Sequence, residues 1–216
     1  MNGGLNTGIF THVYGEAAAG KTTFGLQFVR AMYRQGMGTI YINSETTSPI
    51  ERLEQMIGKP FSDIETLVKI FVPKGYSEQG VLIDDLNLYI RKNTRLVVID
   101  TLTKHYRLAL EDKKTNYANH RELNRQAGVL KGLARHNDIA VIVLNQVTSR
   151  LKGLDDFEPV AGNILDYWSD YVIKMKVGKS SGERLLRRLV PDGDLSEGRL
   201  FLTESGFSVE RTNEKE

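Results

Sequence analysis

A short stretch near the start of the chain has the pattern of a phosphate-binding loop. Gly15 is followed after four residues by Gly20, Lys21 and Thr22, which matches G-x-x-x-x-G-K-[ST]. In such loops the backbone N–H groups curve around a polyphosphate, the lysine neutralises the β- and γ-phosphates, and the threonine hydroxyl binds Mg²⁺. The pattern therefore predicts a site for ATP and Mg²⁺. The residues assigned to nucleotide binding are Gly15, Glu16, Ala17, Ala18, Ala19, Gly20, Lys21, Thr22 and Thr23.

The segments on either side of this loop favour the same interpretation. Residues 9–14 are β-branched and aromatic, which is typical of a strand. Residues 22–35 repeat apolar side chains at helical spacing and end at Gly36. A helix that begins at the loop would direct the positive end of its dipole at the phosphates. The alternative is an ordinary glycine-rich turn between a strand and a helix.

Three further polar side chains follow predicted strands and could complete the site. Asp100 ends a strand after four apolar residues, the Walker B pattern, and would hold Mg²⁺ through water together with Thr22. Glu45 comes just after another strand and could activate the water that attacks the γ-phosphate. Gln146 follows a third strand and could donate a hydrogen bond to a γ-phosphate oxygen. We therefore predict Glu45, Lys21 and Gln146 as catalytic residues.

Each of these three assignments has a structural alternative. Buried strands often end in an aspartate, a loop glutamate is often a solvated acid, and an amide at the start of a loop often caps its backbone. The phosphate-binding loop is what favours the chemical interpretation, because ligands of parallel sheets bind at the carboxyl ends of the strands. All three residues lie at such ends.

The order of the predicted elements indicates the fold class. Strands alternate with helices over most of the chain, which predicts an α/β fold with a mostly parallel twisted sheet and helices on both faces. Residues 171–190 and 200–209 each have the pattern of a hairpin, so antiparallel strands are expected at the C-terminal end. One long helix is predicted over residues 77–92 and another over residues 116–136.

The composition is that of an ordinary globular protein. Hydrophobic residues make up 40% and charged residues 26% of the 216 residues, which suits one domain with a full core. We expect that domain to span residues 1–211, with a flexible tail at residues 212–216. The absence of cysteine excludes disulfides, thiolate metal sites and a cysteine nucleophile. No apolar run approaches the roughly 20 residues of a membrane span, so we expect a cytoplasmic protein without a membrane partner.

Two segments that are predicted to be loops combine basic with aromatic residues, which can follow a phosphate backbone and stack on bases. They cover residues 103–125 and residues 148–162. The net charge of only +2 does not by itself indicate a nucleic-acid partner, and a solvated charged face is the alternative. The predicted DNA contacts are Arg107, Arg121, Arg125, Arg150 and Lys152.

Taken together, the motifs resemble the ATPase core of the RecA-type recombinases, in their archaeal and eukaryotic branch. The resemblance covers nearly the whole chain, and the short archaeal RadB-type members are the most similar group. The segments that carry it are the run into the loop at residues 3–8, the strand with Glu45 at residues 41–45, the Walker B segment at residues 100–107, and the two ends of the second loop at residues 144–147 and 159–165.

This resemblance implies a RecA-type P-loop NTPase core that binds ATP, Mg²⁺ and single-stranded or branched DNA, and that acts in homologous recombination and DNA repair. For RadB-type members it further implies a weak, DNA-modulated ATPase with an accessory role. A RadA-type recombinase and other repair proteins are the implied protein partners, and a homo-oligomer is one possible assembly.

Three departures from the family pattern modify these expectations. The chain begins almost at the first strand, so we expect it to lack the N-terminal DNA-binding domain and the segment with which recombinases form filaments. The second loop is short, which argues against strand exchange. Asn43 stands where the family commonly has a carboxylate, so we expect slow hydrolysis.

Two other functions stay open at this point. One is a binding module that uses ATP as a conformational ligand, with negligible hydrolysis. The other is a RecA-core ATPase of the KaiC or replicative-helicase type, which would form hexamers. Single-turnover hydrolysis with and without single-stranded DNA separates the module from the ATPase, and light scattering tests for the hexamer.

Overall fold

The computed structural model describes residues 4–110, 113–149, 157–191 and 197–209, without the side chains of residues 113, 114 and 149. Three predictions concern residues outside these ranges. They are the flexible tail at residues 212–216 and the DNA contacts Arg150 and Lys152.

Within the described residues, nine strands form one sheet and two short strands form a separate antiparallel ribbon. The strands are β1 (Phe10–Gly15), β2 (Gly38–Asn43), β3 (Val68–Phe71), β4 (Thr94–Asp100), β5 (Ala140–Asn145), β6 (Val147–Ser149), β7 (Phe157–Pro159), β8 (Tyr171–Val177), β9 (Glu183–Val190), β10 (Glu197–Thr203) and β11 (Gly206–Ser208). The order in the sheet is β11-β10-β9-β8-β1-β5-β4-β2-β3, and β6 pairs with β7.

The sheet has a parallel part and an antiparallel extension. The strands from β8 through β1, β5, β4 and β2 to β3 are all paired in parallel. Strands β9, β10 and β11 continue from β8 as antiparallel hairpins. The predicted α/β class, with a mostly parallel sheet and C-terminal antiparallel strands, is confirmed.

Eight helices are described in the same residues, and they cover both faces of the parallel part. They are α1 (Lys21–Arg34), α2 (Ile50–Ile57), α3 (Phe61–Ile64), α4 (Tyr76–Asp84), α5 (Leu86–Tyr89), α6 (Thr103–Leu108), α7 (Lys113–Asn137) and α8 (Gly162–Trp168). Ile40 and Ile42 of β2 pack on the side of α4 to α8, whereas Tyr41 packs on the side of α1 to α3. Successive strand residues point to opposite faces, so each strand contributes to two cores.

The structure corrects the helix predicted over residues 77–92. This segment forms two helices, α4 and α5, which are separated at Asp85. The backbone N–H of Asp85 donates a hydrogen bond to the carbonyl oxygen of Val81. Ile83 and Leu86 on either side of the break are both fully buried. The apolar period continues across the turn, so the pattern alone could not reveal it.

The two segments predicted as loops also contain regular structure. Residues 103–108 form α6 and residues 113–125 belong to α7, because Leu102, Tyr106 and Leu123 bury a shared apolar face. The helix predicted over residues 116–136 lies within α7. Within residues 148–162, residues 148–149 belong to β6 and residues 157–159 to β7, and Thr148 is paired with Glu158. Among the residues that the structure describes, every helix is too short or too polar to cross a bilayer.

Neighbouring strands bring the predicted site residues to one edge of the sheet. Strands β1, β5, β4 and β2 are adjacent, and Asn43 at the end of β2 is paired with Asp100 at the end of β4. Asp100 is in turn paired with Leu144, and Tyr14 with Asn145, next to Gln146. The phosphate-binding loop and the three predicted strand-end residues therefore lie side by side.

Candidate nucleotide site

The loop between β1 and α1 is held in a closed curve by its own lysine. The Lys21 Nζ donates hydrogen bonds to the carbonyl oxygens of Gly15 and Glu16, both at 2.8 Å. Burial lowers the pKa of Lys21, whereas the nearby carboxylates Asp100 and Glu45 act in the opposite direction. The ammonium group is thus positioned inside the curve of the loop, where it can bind phosphate oxygens.

Two positions in this loop require glycine. Gly20 has φ +88°, in the left-handed region, and a Cβ atom there would lie 2.7 Å from the ring of Phe207. A Cβ atom on Gly15 would lie 2.4 Å from the carbonyl oxygen of Met175 on the neighbouring strand β8. The spacing of the two glycines therefore reflects both the turn and the close approach of other strands.

The antiparallel extension supports the loop from outside. The backbone N–H of Val177 donates to Glu16 Oε1 at 2.7 Å, and Arg184 Nε donates to the carbonyl oxygen of Ala18 at 3.1 Å. The N–H of Phe207 donates to Gln27 Oε1 on α1 at 3.2 Å. Sequence reasoning missed Arg184 as part of the site, because nothing in its local sequence marks a contact with a residue 166 positions away.

The residues predicted to hold Mg²⁺ are in direct contact. Thr22 Oγ1 donates to Asp100 Oδ2 at 2.7 Å, and the Tyr41 hydroxyl donates to the same oxygen at 2.7 Å. Burial raises the pKa of Asp100, and the hydrogen bonds from Thr22 and Tyr41 partly offset that shift. Hydroxyl and carboxylate oxygens are the donors that Mg²⁺ prefers, so Thr22 and Asp100 fit the ion that ATP would bring. Tyr41 was not predicted as a site residue.

We expect Asp100→Asn to stabilise the protein without ligand and to remove its response to Mg²⁺. Because the folded-state pKa of Asp100 lies above the unfolded value, its ionised form opposes folding at neutral pH, and that cost disappears only as the pH falls through the folded-state pKa. Asparagine carries no charge, and its carbonyl oxygen can accept the hydrogen bonds of Thr22 and Tyr41.

Thermal melts check this expectation. In EDTA, the Tm of D100N should be higher than that of the wild type by a few degrees, since each kcal/mol is about 2–4 °C in a chain of this size. The further rise that ATP with Mg²⁺ gives the wild type should be lost. The exposed Asp63→Asn is the matched control and should behave like the wild type. A lower Tm of D100N in EDTA, or an undiminished rise with ATP and Mg²⁺, would contradict the assignment.

Glu45, the predicted activator of water, and Gln146, the predicted donor to the γ-phosphate, bind each other. Gln146 Nε2 donates to Glu45 Oε1 at 2.7 Å, and Thr101 Oγ1 donates to the same oxygen at 3.2 Å. Lys104 Nζ lies 3.6 Å from Glu45 Oε2. The side-chain amide of Asn43 accepts from the N–H of Glu45 at 3.2 Å and donates to its carbonyl oxygen at 3.3 Å, so Asn43 shapes the turn that carries Glu45.

A row of polar groups, buried except for Asp166, fixes the strand end before Gln146. Asn145 Nδ2 contacts His12 Nε2 at 3.1 Å and donates to the carbonyl oxygen of Val160 at 2.8 Å. His12 Nδ1 lies 2.8 Å from Asp166 Oδ1 on α8, and Thr103 Oγ1 donates to Asn145 Oδ1. His12 is completely buried in these contacts. This row ties β1, β5, α6 and α8 together beneath the site.

Several of the predicted nucleotide-binding residues and all three predicted catalytic residues line one cavity of about 410 Å³. Its lining comes from the phosphate-binding loop, from the segments that follow β2, β4 and β5, and from α6. The lining residues are Gly15, Ala17, Ala18, Lys21, Thr22, Glu45, Asp100, Thr101, Arg107, Gln146 and Val147. A larger cavity of about 880 Å³ lies over β8, β9 and β10, away from the predicted catalytic groups.

Two of the three described DNA-contact candidates, Arg121 and Arg125, line one cavity along α7, and the third lies at a different cavity. Arg107 borders the nucleotide cavity. Arg125 on α7 donates to Glu122 at 2.7 and 2.8 Å and to Asp84 at 2.5 Å, and these hydrogen bonds raise its pKa. The Arg121 guanidinium lies 6.0 Å from the ring centroid of Tyr117. The charge of Arg125 is therefore largely compensated within the protein.

Comparisons with known proteins identify the family to which this chain belongs. A family model described as Rad51 matches residues 1–208. The chain belongs to the Rad51 family. One relative is the DNA repair and recombination protein RadB of Methanococcoides burtonii, which is 32% identical over 182 residues, 84% of this chain and 80% of that protein. The protein of the same name from Methanobrevibacter smithii is 29% identical over 214 residues, 96% of this chain and 90% of that protein.

A solved structure, the crystal structure of the RadB recombinase, is similar to this chain over most of its length. It covers 95% of this chain and 92% of its own, with 30% identity and a TM-score of 0.76. The predicted resemblance to archaeal RadB-type proteins is thus confirmed. Rad51-family proteins are in general ATPases that use a nucleotide and Mg²⁺, and the loop around Lys21 and the pair of Thr22 and Asp100 fit that chemistry.

Proposed function

We propose that this protein is a weak, DNA-modulated ATPase that acts as an accessory in homologous recombination and DNA repair. The observation that carries the proposal is the meeting of two pairs at one cavity. Thr22 contacts Asp100 at 2.7 Å, and Gln146 contacts Glu45 at 2.7 Å, with the loop of Lys21 beside them. These are the parts that ATP hydrolysis requires.

Phosphoryl transfer depends on positioning and on neutralising charge, and the residues divide these tasks. The loop N–H groups and Lys21 hold the β- and γ-phosphates, while Thr22 and Asp100 would hold Mg²⁺, which supplies further positive charge when bound. Glu45 orients the attacking water and accepts its proton, a contribution on the order of 10²–10⁴ in rate. Gln146 donates to the γ-phosphate.

The contacts of Gln146 suggest how DNA could modulate this reaction. Its carbonyl oxygen accepts from the N–H of Val160 at 3.0 Å, so the residue is tied to the β6–β7 ribbon, whose connection holds the predicted contacts Arg150 and Lys152. If the Gln146 side chain released Glu45 and bound a γ-phosphate oxygen instead, the ribbon would move from one arrangement to another. DNA that binds one arrangement better would then change the rate.

Three contacts to Glu45 support the proposal that hydrolysis is weak. Gln146, Thr101 and Lys104 all engage the carboxylate, so its oxygens must be released before they can orient water. The same observation favours a second candidate, an ATP-gated binding module with negligible turnover. Membership of the Rad51 family makes both candidates preferable to a KaiC-type or helicase-type ATPase.

The proposed partners follow from the relatives, which are named DNA repair and recombination proteins. We propose single-stranded or branched DNA as the nucleic acid, with a RadA-type recombinase and other repair proteins as protein partners. A homo-oligomer and a cytoplasmic location complete the proposal, in which residues 1–211 form one ATPase domain.

The proposal is tested by DNA binding over a salt series with ATP, with ADP and without nucleotide. We expect ATP to increase the affinity for single-stranded DNA, and the slope of log affinity against log salt to count the phosphates contacted. Affinities that are equal in all three conditions would refute DNA modulation. Single-turnover hydrolysis with and without DNA then decides between the two candidates, because the module should show no turnover in either.

A further inference from the structure

We propose that Arg107 binds the γ-phosphate of ATP and neutralises the charge that develops there during hydrolysis. The inference rests on the proposed function, since it adds a residue to the same nucleotide site. Arg107 lies on α6 and lines the cavity together with Lys21, Glu45 and Gln146. Sequence reasoning had assigned this arginine to DNA.

The position of Arg107 on α6 places it at the γ-phosphate end of the cavity. Residues three apart on a helix share a face, and Lys104, three residues earlier, reaches to 3.6 Å from Glu45 Oε2. Glu45 and Gln146 are the groups that act on the γ-phosphate and its water in the proposed function. The Arg107 guanidinium therefore borders the part of the cavity where the proposed function puts the γ-phosphate.

The packing of α6 fixes this orientation. Tyr106 is only 2% exposed, and its hydroxyl contacts His120 Nδ1 on α7 at 2.8 Å. Thr103 donates to Asn145 at the end of β5. Because Thr103 and Tyr106 anchor the helix on two elements, Arg107 is held toward the cavity rather than carried on a free loop.

The guanidinium of Arg107 is available for a ligand. Within the described residues, no side chain or carbonyl forms a hydrogen bond or an ion pair with it, whereas Arg125 on α7 is bound to Glu122 and Asp84. An exposed, uncompensated arginine at the rim of a phosphate cavity is well suited to a bidentate contact with phosphate oxygens.

The charges around the cavity also indicate that Arg107 is needed to neutralise the phosphates. Two carboxylates, Glu45 and Asp100, oppose the two lining cations Lys21 and Arg107. Lys104, outside the lining, is already paired with Glu45. ATP brings roughly four negative charges and its Mg²⁺ only two positive ones. Lys21 is already bound to two carbonyl oxygens of the loop. Arg107 is the lining cation that can move onto the γ-phosphate without losing a partner among the described residues.

The test measures dissociation constants of the full chain for ATPγS and for ADP, with Mg²⁺ and without DNA. We expect Arg107→Ala to weaken ATPγS binding about tenfold or more, as for loss of a charge-assisted hydrogen bond, and to change ADP binding less than about threefold. Arg107→Lys should recover part of the lost affinity, because lysine keeps the positive charge but lacks the paired N–H donors of the guanidinium. The exposed Arg135→Ala, at the end of α7, is the matched control and should bind both nucleotides like the wild type.

Each other outcome overturns the inference in a recognisable way. Equal losses for ATPγS and ADP would place Arg107 away from the γ-phosphate. Unchanged nucleotide binding with weaker binding of single-stranded DNA would return Arg107 to the predicted DNA contacts. A wild type that binds neither nucleotide would overturn the proposed function itself, whereas a wild type that binds ATPγS no better than R107A would overturn only the role of Arg107. Circular dichroism spectra and thermal melts verify that each variant is folded.

Discussion

Lys21→Ala is expected to weaken ATP binding at least about a hundredfold, to the point where calorimetry detects no saturable heat. The Lys21 ammonium group lies 2.8 Å from two carbonyl oxygens of the loop, so it is already fixed where the β- and γ-phosphates bind. Loss of its hydrogen bonds to two charged groups costs on the order of 3 kcal/mol, which is a factor of about a hundred in affinity.

A matched control separates this local effect from a general change in charge. Lys92 is exposed just before β4, at the amino end of the parallel strands, and Lys92→Ala makes the same change in net charge. It should bind ATP as the wild type does. The assignment of Lys21 would be wrong if K21A bound ATP within about threefold of the wild type while both variants remained folded.

Glu45→Gln is the second prediction with a large expected effect. It should retain ATP binding within a few-fold and lower the hydrolysis rate by about 10²–10⁴. The amide oxygen of glutamine can still accept the hydrogen bonds from Gln146 and Thr101, so the local arrangement persists. A neutral amide cannot accept a proton from the attacking water, and this removes the chemical step alone.

The measurement is single-turnover hydrolysis of ATP, combined with equilibrium binding of ATPγS. Glu65→Gln serves as the control, because Glu65 is an exposed acid that follows α3, outside the lining of the nucleotide cavity. A rate for E45Q that equals that of the wild type would show that another group activates the water. A wild type without turnover would favour the ATP-gated binding module.

The fold was predictable where burial produces continuous apolar runs. The strand predicted at residues 9–14 and the apolar strand predicted to end at Asp100 correspond to β1, Phe10–Gly15, and β4, Thr94–Asp100. A strand of a parallel sheet that is covered on both faces must be apolar at nearly every position, which a single sequence displays directly. The helices were less predictable, because the break at Asp85 preserves the apolar period on both sides.

The nucleotide site was predictable to the extent that it follows from topology. The rule that ligands bind at the carboxyl ends of parallel strands links Glu45 with Gln146, which are 101 positions apart and in contact at 2.7 Å. The partners Tyr41, Lys104 and Arg184 were not predicted, because their roles depend on which side chains meet across strands and helices.

Residues 103–108 show how composition alone misleads. Basic and aromatic residues there predicted a loop, but Tyr106 is buried and the segment forms α6 beside the nucleotide cavity. The DNA contact predicted for Arg107 stays a prediction. The alternation of charged with apolar side chains marked a helix with one face in the core. It was the packed position of α6, which no local pattern encodes, that placed Arg107 at the cavity.

The most direct test of the account is equilibrium binding of ATPγS to the wild-type chain, measured by calorimetry with Mg²⁺ and again with EDTA. We predict one site per chain, with an affinity that falls at least about tenfold when EDTA removes Mg²⁺, because Thr22 and Asp100 would bind the ion that accompanies the phosphates. No affinity for the adenine nucleotide, or an affinity that does not depend on Mg²⁺, would contradict it.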